Sequence, residues 1–396
     1  MRNRHFFAVS RLAFIVGALS FSFCAMAQKR GKFEFSRNLP VYADSLLKDL
    51  TYPMAWGNSP ITDFSEWRQA AREKVLECML APPPAAASVG KDGCAYEVRV
   101  LSEEQRNGYR ARKIEVHLSR YYWVPAYVLI PDGKGPFPAV NALHDHGAHL
   151  FIGKEKMIRP LACEDSTVVS DADEWARTLY DGQFVGDYLA RHGYVVFSAD
   201  APMWGERGQQ EGPRRDKYDM IAGNMMMYGI DLSAYMTYDD LSGTEFLATM
   251  PEVDPARIGC MGCSMGAYRA WMLSALSDRI KCGAAVCWLT TTDEQMSFKY
   301  KRTENGGFAN CFPGLRRWLD YPHVASMACP KAMLFINGSQ DKLFPVAAVE
   351  KAFRIMHDTW RSQGADDRLE TEIWDMPHSC PLKAQERVLQ FFLKNL

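Results

Sequence analysis

The chain has 396 residues, 47% of them hydrophobic and 23% charged, with a formal net charge of −1. A chain this apolar and this close to neutrality is not a disordered tail, and 28 Gly and 21 Pro are too few for a collagen-like or low-complexity polymer. It lacks the concentrated basic charge of a dedicated nucleic-acid binder, and its length allows a substantial core in one large or two ordinary domains.

In chain order, the first feature is an export leader. Arg2, Arg4 and Arg11 precede an apolar run from Leu12 to Phe23, and Ala25-Met26-Ala27 forms a small-x-small cleavage site before Gln28. The run is shorter than the ~20 residues of a spanning helix. Residues 1–27 are therefore predicted to be a signal peptide and the mature chain to be periplasmic or secreted, with no membrane span left. Lipid attachment at Cys24 is disfavoured by the bulky Phe23 before it. Removing the leader also removes three arginines and no acid, and leaves ten of the 11 cysteines. Spread over so long a chain, these are unlike a disulfide scaffold. A Cys78–Cys94 bridge is one candidate, whereas Cys260, Cys282 and Cys287 lie in apolar runs and read as buried hydrophobes.

Residues 28–95 read as an N-terminal helical extension, with an amphipathic helix over Phe64–Leu80 ended by Pro82-Pro83-Pro84. Residues 96–396 read as the catalytic domain. Val98–Val100, Lys113–Leu118 and Tyr121–Ile130 have strand character. Then short apolar runs alternate with helical stretches: strand 137–143, helix 174–191, strand 194–198, helix 238–250, strand 257–262, a helix from Met265 and strand 282–289. Strand 332–337, a helix from Pro345, strand 369–374 and a final helix complete the series. This order predicts an α/β fold with a mostly parallel sheet covered on both faces. Ligands in such sheets lie beyond the carboxyl ends of the strands.

Reactive residue types occur at those ends. Gly262-Cys263-Ser264-Met265-Gly266 is a G-x-S-x-G sequence between a strand and a helix, where glycines allow a tight turn around a nucleophilic Ser264. Hydrolase order then requires an acid followed by a histidine. Asp341 follows strand 332–337 and His378 follows strand 369–374, so Ser264, Asp341 and His378 form the candidate triad. Asp293 and Glu294, one strand earlier, are the alternative acids. The Met265 N–H and that of Ala148 are the candidate oxyanion donors. Ala148 lies in the loop His144-Asp145-His146-Gly147-Ala148-His149. His144, His146 and His149 lack a recognised zinc spacing, so no catalytic metal and no cofactor are expected.

With these pieces the chain resembles the α/β-hydrolase superfamily, in its acetyl xylan esterase-like and dienelactone hydrolase-related branch of exported bacterial esterases. The resemblance rests on WRQAAREKV, LHDHGAHLFIGKEKM, SADAPMWGERG, the long elbow segment EFLATMPEVDPARIGCMGCSMGAYRAWMLSALSDRI, NGSQDKLFP and MPHSCP. It implies an α/β-hydrolase fold and a serine esterase of acetyl xylan esterase type acting on a glycan or small-molecule ester. A glucuronoyl esterase or another carboxylesterase is the nearest alternative. A serine peptidase or a silent binding protein on the same fold is more remote. Two departures stand out: a serine replaces the cysteine of true dienelactone hydrolases, and His-Gly-Ala replaces the frequent His-Gly-Gly. The resemblance also marks Trp204-Gly205-Glu206-Arg207-Gly208 as a bracing loop, with His146, Trp204 and Arg207 as candidate substrate contacts. Phe151–Asp173 and the Met-rich stretch Asn224–Tyr228 are expected pocket walls.

Overall fold

The computed structural model describes residues 35–36, 39–80, 96–119, 121–147, 149–208, 215–297 and 307–396. The predicted leader with Cys24, as well as Cys94 and Ala148, lies outside these residues. Nine strands form one sheet: β1 (Val98–Arg106), β2 (Tyr109–Ser119), β3 (Tyr122–Pro131), β4 (Phe137–Leu143), β5 (Val195–Ala199), β6 (Val253–Cys263), β7 (Ile280–Val286), β8 (Ala332–Gly338) and β9 (Leu369–Trp374). Their spatial order is β9-β8-β7-β6-β4-β5-β3-β2-β1. From β9 to β5 every pairing is parallel, and β5-β3, β3-β2 and β2-β1 are antiparallel. The composition follows the topology. Central strands such as β8 are mostly apolar and buried at every position, as a sheet covered on both faces requires, whereas β2 alternates in burial along much of its length.

The covering helices are α1 (Phe64–Cys78), α2 (Ser166–Leu179), α3 (Val185–Arg191), α4 (Arg215–Met227), α5 (Leu232–Thr249), α6 (Met265–Leu276), α7 (Val346–Ser362) and α8 (Leu382–Asn395). Leu179, Leu189, Val388 and Phe392 pack on one side of the sheet with Met261 and Cys263 of β6. Alternate β6 residues, Ile258 and Cys260, face Ala270 and Leu273 of α6 on the other side. In the extension, the Asp63 side chain accepts the Glu66 N–H and starts α1. Trp67, Ala71 and Val75, spaced four apart, then bury one stripe of α1 against Trp271 and Met272.

The α/β architecture read from strand–helix alternation is present, and β4 and β9 have the expected bounds. The helix expected over 174–191 is instead two helices. Asp181 (φ 52°) and Gly182 (φ 79°) turn the chain between α2 and α3. The helix expected from Tyr238 starts at Leu232, where Asp231 accepts the Ala234 N–H and supplies the cap. The Met-rich stretch expected to wall the pocket falls at the end of α4, where Met227 and Tyr228 face solvent. All nine described cysteines, Cys78 included, are free thiols. Among the described residues, no helix is long and apolar enough to cross a membrane.

Candidate active site

Strand β6 runs into the turn at Ser264, whose φ of 55° and ψ of −126° are strained for a side chain with a Cβ. Such a conformation costs about 1–3 kcal/mol and persists only where its surroundings enforce it. Here the Ser264 N–H donates to the Val286 carbonyl at 2.9 Å, while its own carbonyl accepts from Ala267 and Tyr268 in the first turn of α6. The flanking glycines are required by space. A Cβ on Gly262 would lie 2.3 Å from the backbone of Gly266, and one on Gly266 would lie 2.0 Å from the Leu143 carbonyl oxygen. The elbow therefore packs backbone to backbone against the end of β4. Met265 opens α6, so its N–H belongs to the group that has no intrahelical acceptor, and the helix dipole favours negative charge there.

Asp341 and His378 meet at the ends of β8 and β9. The Ser339 N–H donates to the Trp374 carbonyl at 2.8 Å and the Gln340 N–H to that of Met376 at 3.1 Å, tying the two loops together. Asp341, fully buried at its side chain, accepts the Leu343 N–H on Oδ1 at 2.8 Å and faces His378 Nδ1 with Oδ2 at 2.6 Å. This geometry places the ring proton on Nδ1 and leaves Nε2 as the free base. No hydrogen bond joins Ser264 Oγ to His378 among the described residues; such contacts commonly tighten only when substrate binds. The sites of the three candidate residues therefore lie at the carboxyl ends of β6, β8 and β9, on one edge of the sheet.

The alternative acids are engaged elsewhere. Asp293 accepts from the Tyr52 hydroxyl and from Arg316 at 3.1 Å, and Lys351 donates to both Asp293 and Glu294. Cys287 (φ 58°) sits between the elbow and the histidine, with Sγ, Asp341 and His378 all within 4.8 Å of one another. Its thiol donates to the Ser379 carbonyl at 3.3 Å, and burial pushes its pKa up. Both effects disfavour the thiolate that a metal would need.

The loop histidines diverge. His144 is wholly buried, with Nδ1 against the Asp145 carbonyl at 2.9 Å and Nε2 accepting the Ala201 N–H at 3.0 Å. Burial, followed by the charge of Arg269, lowers its pKa well below the usual imidazole value and keeps it neutral. His149 pairs with Asp171, and half-buried His146 packs edge-on against Trp204. The other two candidate substrate contacts face inward. Trp204 is buried and donates its indole N–H to the His146 carbonyl at 2.8 Å. Arg207 pairs with Asp239 at 2.6 Å, reaches the Asp200 carbonyl and the Tyr235 hydroxyl, and lies over the rings of Tyr122 and Tyr235. Both are engaged in bracing the loop.

Sequence reasoning missed the buried polar layer beneath this loop: Asp145, Lys154, Lys156, Trp175, Tyr180 and Asp200. A trace of it is legible in Leu150–Ile158, where two lysines stand among apolar neighbours.

Residues 34–364 match the profile of the Abhydrolase family. The chain belongs to that family. An α/β-hydrolase by sequence and by fold, it is 30% identical over 301 residues to YtaP of Bacillus subtilis (strain 168), which is named as a hydrolase; the match covers 76% of this chain and 90% of that one. A Bacteroides fragilis NCTC 9343 structure described as an acetyl xylan esterase superposes with a TM-score of 0.65 at 19% identity, covering 87% and 84% of the two chains. Glucuronoyl esterase from Solibacter usitatus gives 0.60 at 14% identity, covering 90% and 98%. Acetyl xylan esterase 1 from Thermoanaerobacterium sp. JW/SL YS485 gives 0.52 at 15%, covering 90% and 98%.

Proposed function

We propose that this α/β-hydrolase is an exported serine carboxylic-ester hydrolase that removes acetyl groups from plant-type glycans or their oligosaccharides. The observation that carries the chemistry is the strained Ser264 elbow on the same sheet edge as a buried Asp341 carboxylate 2.6 Å from His378. His378 Nε2 takes the Ser264 proton as Oγ attacks the ester carbonyl, and Asp341 holds the ring and stabilises the imidazolium. The Met265 N–H and that of Ala148 hold the oxyanion. His378 then protonates the departing sugar alcohol. Water attacks the acyl-enzyme with His378 as base again, releasing acetate and free Ser264. These steps need no cofactor.

The glycan class is supported by the company the fold keeps, since the structural neighbours named above are described as acetyl xylan and glucuronoyl esterases. Export is supported by the leader pattern at residues 1–27. The test is p-nitrophenyl acetate hydrolysis by the wild type and Ser264→Ala, with and without EDTA. The variant should be inactive and the wild type indifferent to chelator; a variant that turns over normally refutes the assignment. Rates on acetylated xylan against methyl glucuronate esters then separate acetylesterase from glucuronoyl esterase.

A further inference from the structure

The turn Lys154–Lys156 carries two lysines whose side chains are both fully buried beneath the loop that follows β4. Lys154 is surrounded by carboxylates: Glu155 at 2.6 Å, Glu206 at 2.8 Å and Asp200 at 3.0 Å. That cluster satisfies itself. Lys156 differs. The carboxylate oxygen paired with it, Asp145 Oδ1, is 3.6 Å away, and its ammonium instead donates to backbone carbonyls, that of His146 at 2.8 Å and that of Asp145 at 3.3 Å. Burying a full charge is costly, and here the charge is directed at the loop itself.

The His146 carbonyl also accepts the Trp204 indole N–H at 2.8 Å. Two buried donors on one oxygen fix the plane of that peptide. Because a trans peptide is planar, its N–H, that of Gly147, is turned away from Lys156 and Trp204. An ammonium on the carbonyl side also polarises the amide and strengthens the N–H as a donor. Gly147 fits this arrangement because a Cβ there would meet Trp175, Asp145 and Lys156 at 2.8–2.9 Å. The Asp145 carboxylate is held in turn by Trp175 Nε1 at 3.0 Å and the Tyr180 hydroxyl at 2.7 Å. The start of the same loop abuts the elbow: Arg269 of α6 donates to the His144 carbonyl at 3.2 Å, and Gly266 packs on Leu143.

We propose that Lys156 is a positioning residue for ester hydrolysis: with Trp204 it pins the His146–Gly147 peptide, and so sets the path of the loop after β4 beside the oxyanion formed at Ser264. The proposal rests on the serine-esterase reading above. Burial lowers the Lys156 pKa from its ordinary value while the Asp145 charge opposes the shift.

The test uses the full enzyme and two variants acting on one oxygen, Lys156→Met and Trp204→Phe. For each, kcat and KM with p-nitrophenyl acetate are measured beside the Ki of phenylboronic acid, whose tetrahedral adduct on Ser264 mimics the transition state. Deleting an oxyanion donor costs ~10²–10³ in kcat; loosening one should cost about ten- to a hundredfold, with KM within about threefold. Boronate affinity should fall by the same factor as kcat. Because both donors serve one carbonyl, the double variant should lose less than the product of the single losses. If Lys156→Met does not fold, Trp204→Phe alone carries the test. A lowered Tm with kcat unchanged, or a raised KM with kcat unchanged, overturns the proposal. An active Ser264→Ala would instead overturn the esterase reading on which it rests.

Discussion

Replacing Asp341 by Asn tests the orientation of the base without altering its surroundings. The two carboxylate oxygens have separate tasks, Oδ1 accepting the Leu343 N–H at 2.8 Å and Oδ2 facing His378 Nδ1 at 2.6 Å. In Asp341→Asn the Leu343 N–H still demands an oxygen, so the amide must present its NH₂ group to His378. A donor facing Nδ1 selects the tautomer protonated on Nε2, the nitrogen that must accept the Ser264 proton. Flipping the amide to restore the tautomer would leave the Leu343 N–H unpaired, at about 1–3 kcal/mol. Loss of correct tautomer and of imidazolium stabilisation together should lower kcat ~10³–10⁴-fold, about 4–5.5 kcal/mol. KM for p-nitrophenyl acetate should stay nearly constant, because the Asp341 side chain contacts the base and its own loop. Asp293→Asn and Glu294→Gln should stay within about threefold of wild type, since these acids serve Tyr52, Arg316 and Lys351. If Asp341→Asn retains kcat within tenfold while either control collapses, the acid lies one strand earlier and the argument is refuted.

Three further substitutions address stability. Gly266→Ala places a Cβ 2.0 Å from the Leu143 carbonyl and should cost about 3 kcal/mol in urea unfolding, as overpacking does, with ester hydrolysis lost as well. Gly223→Ala, in α4 with open space around it, should instead stabilise by about 0.5–1 kcal/mol; equal effects at the two sites would refute the packing argument. Asp231→Asn tests a buried carboxyl at the start of α5. Oδ1 caps Ala234, Oδ2 has no partner, and burial raises its pKa from 3.8 to about 6. Between pH 4 and 6 the folded state binds more protons than the unfolded, so this group's contribution to stability declines as pH rises through that window and stays low above it. The Asn variant should therefore gain stability at pH 7.5 and not at pH 4. A two-unit difference is worth about 3 kcal/mol at most, and the unpaired amide should reduce the gain to about 1–2 kcal/mol. Equal gains at both pH values would refute it.

The legible features of this chain are those with local signatures. The elbow announces itself because steric demand at Ser264 forces glycine at 262 and 266 within five residues of sequence. Asp341 and His378 are legible as candidates because Asp341 follows the apolar run 332–337 and His378 follows the alternating stretch 369–374, both with strand character. The break between α2 and α3 was harder to read, since Asp181 and Gly182 interrupt an otherwise continuous helical pattern. Trp204 and Arg207 stand on the loop that the sequence marks, but the direction of their side chains is not legible in it. Position after a strand end says where the backbone goes; what an indole or guanidinium faces depends on long-range partners, here His146 and Asp239, 58 and 32 residues away.

Lys154 and Lys156 show the same limit from the opposite side. Charged residues are almost never fully buried unless paired, so an isolated sequence gives lysine a surface position by default. Burial becomes tolerable only when the fold brings Asp200 and Glu206 to one ammonium and the His146 carbonyl to the other. The Abhydrolase framework supplies both through the parallel β4–β5 pair, whose following loops cross above the same sheet edge. A strained elbow and a buried polar layer thus share one structural cause. Ser264 is fixed through the Val286 carbonyl, and the loop after β4 is fixed through Lys156. Each is held by backbone contacts rather than by the substrate. The enzyme can therefore be organised before an ester arrives, and a mutation at Lys156 should affect the transition state more than the bound ground state.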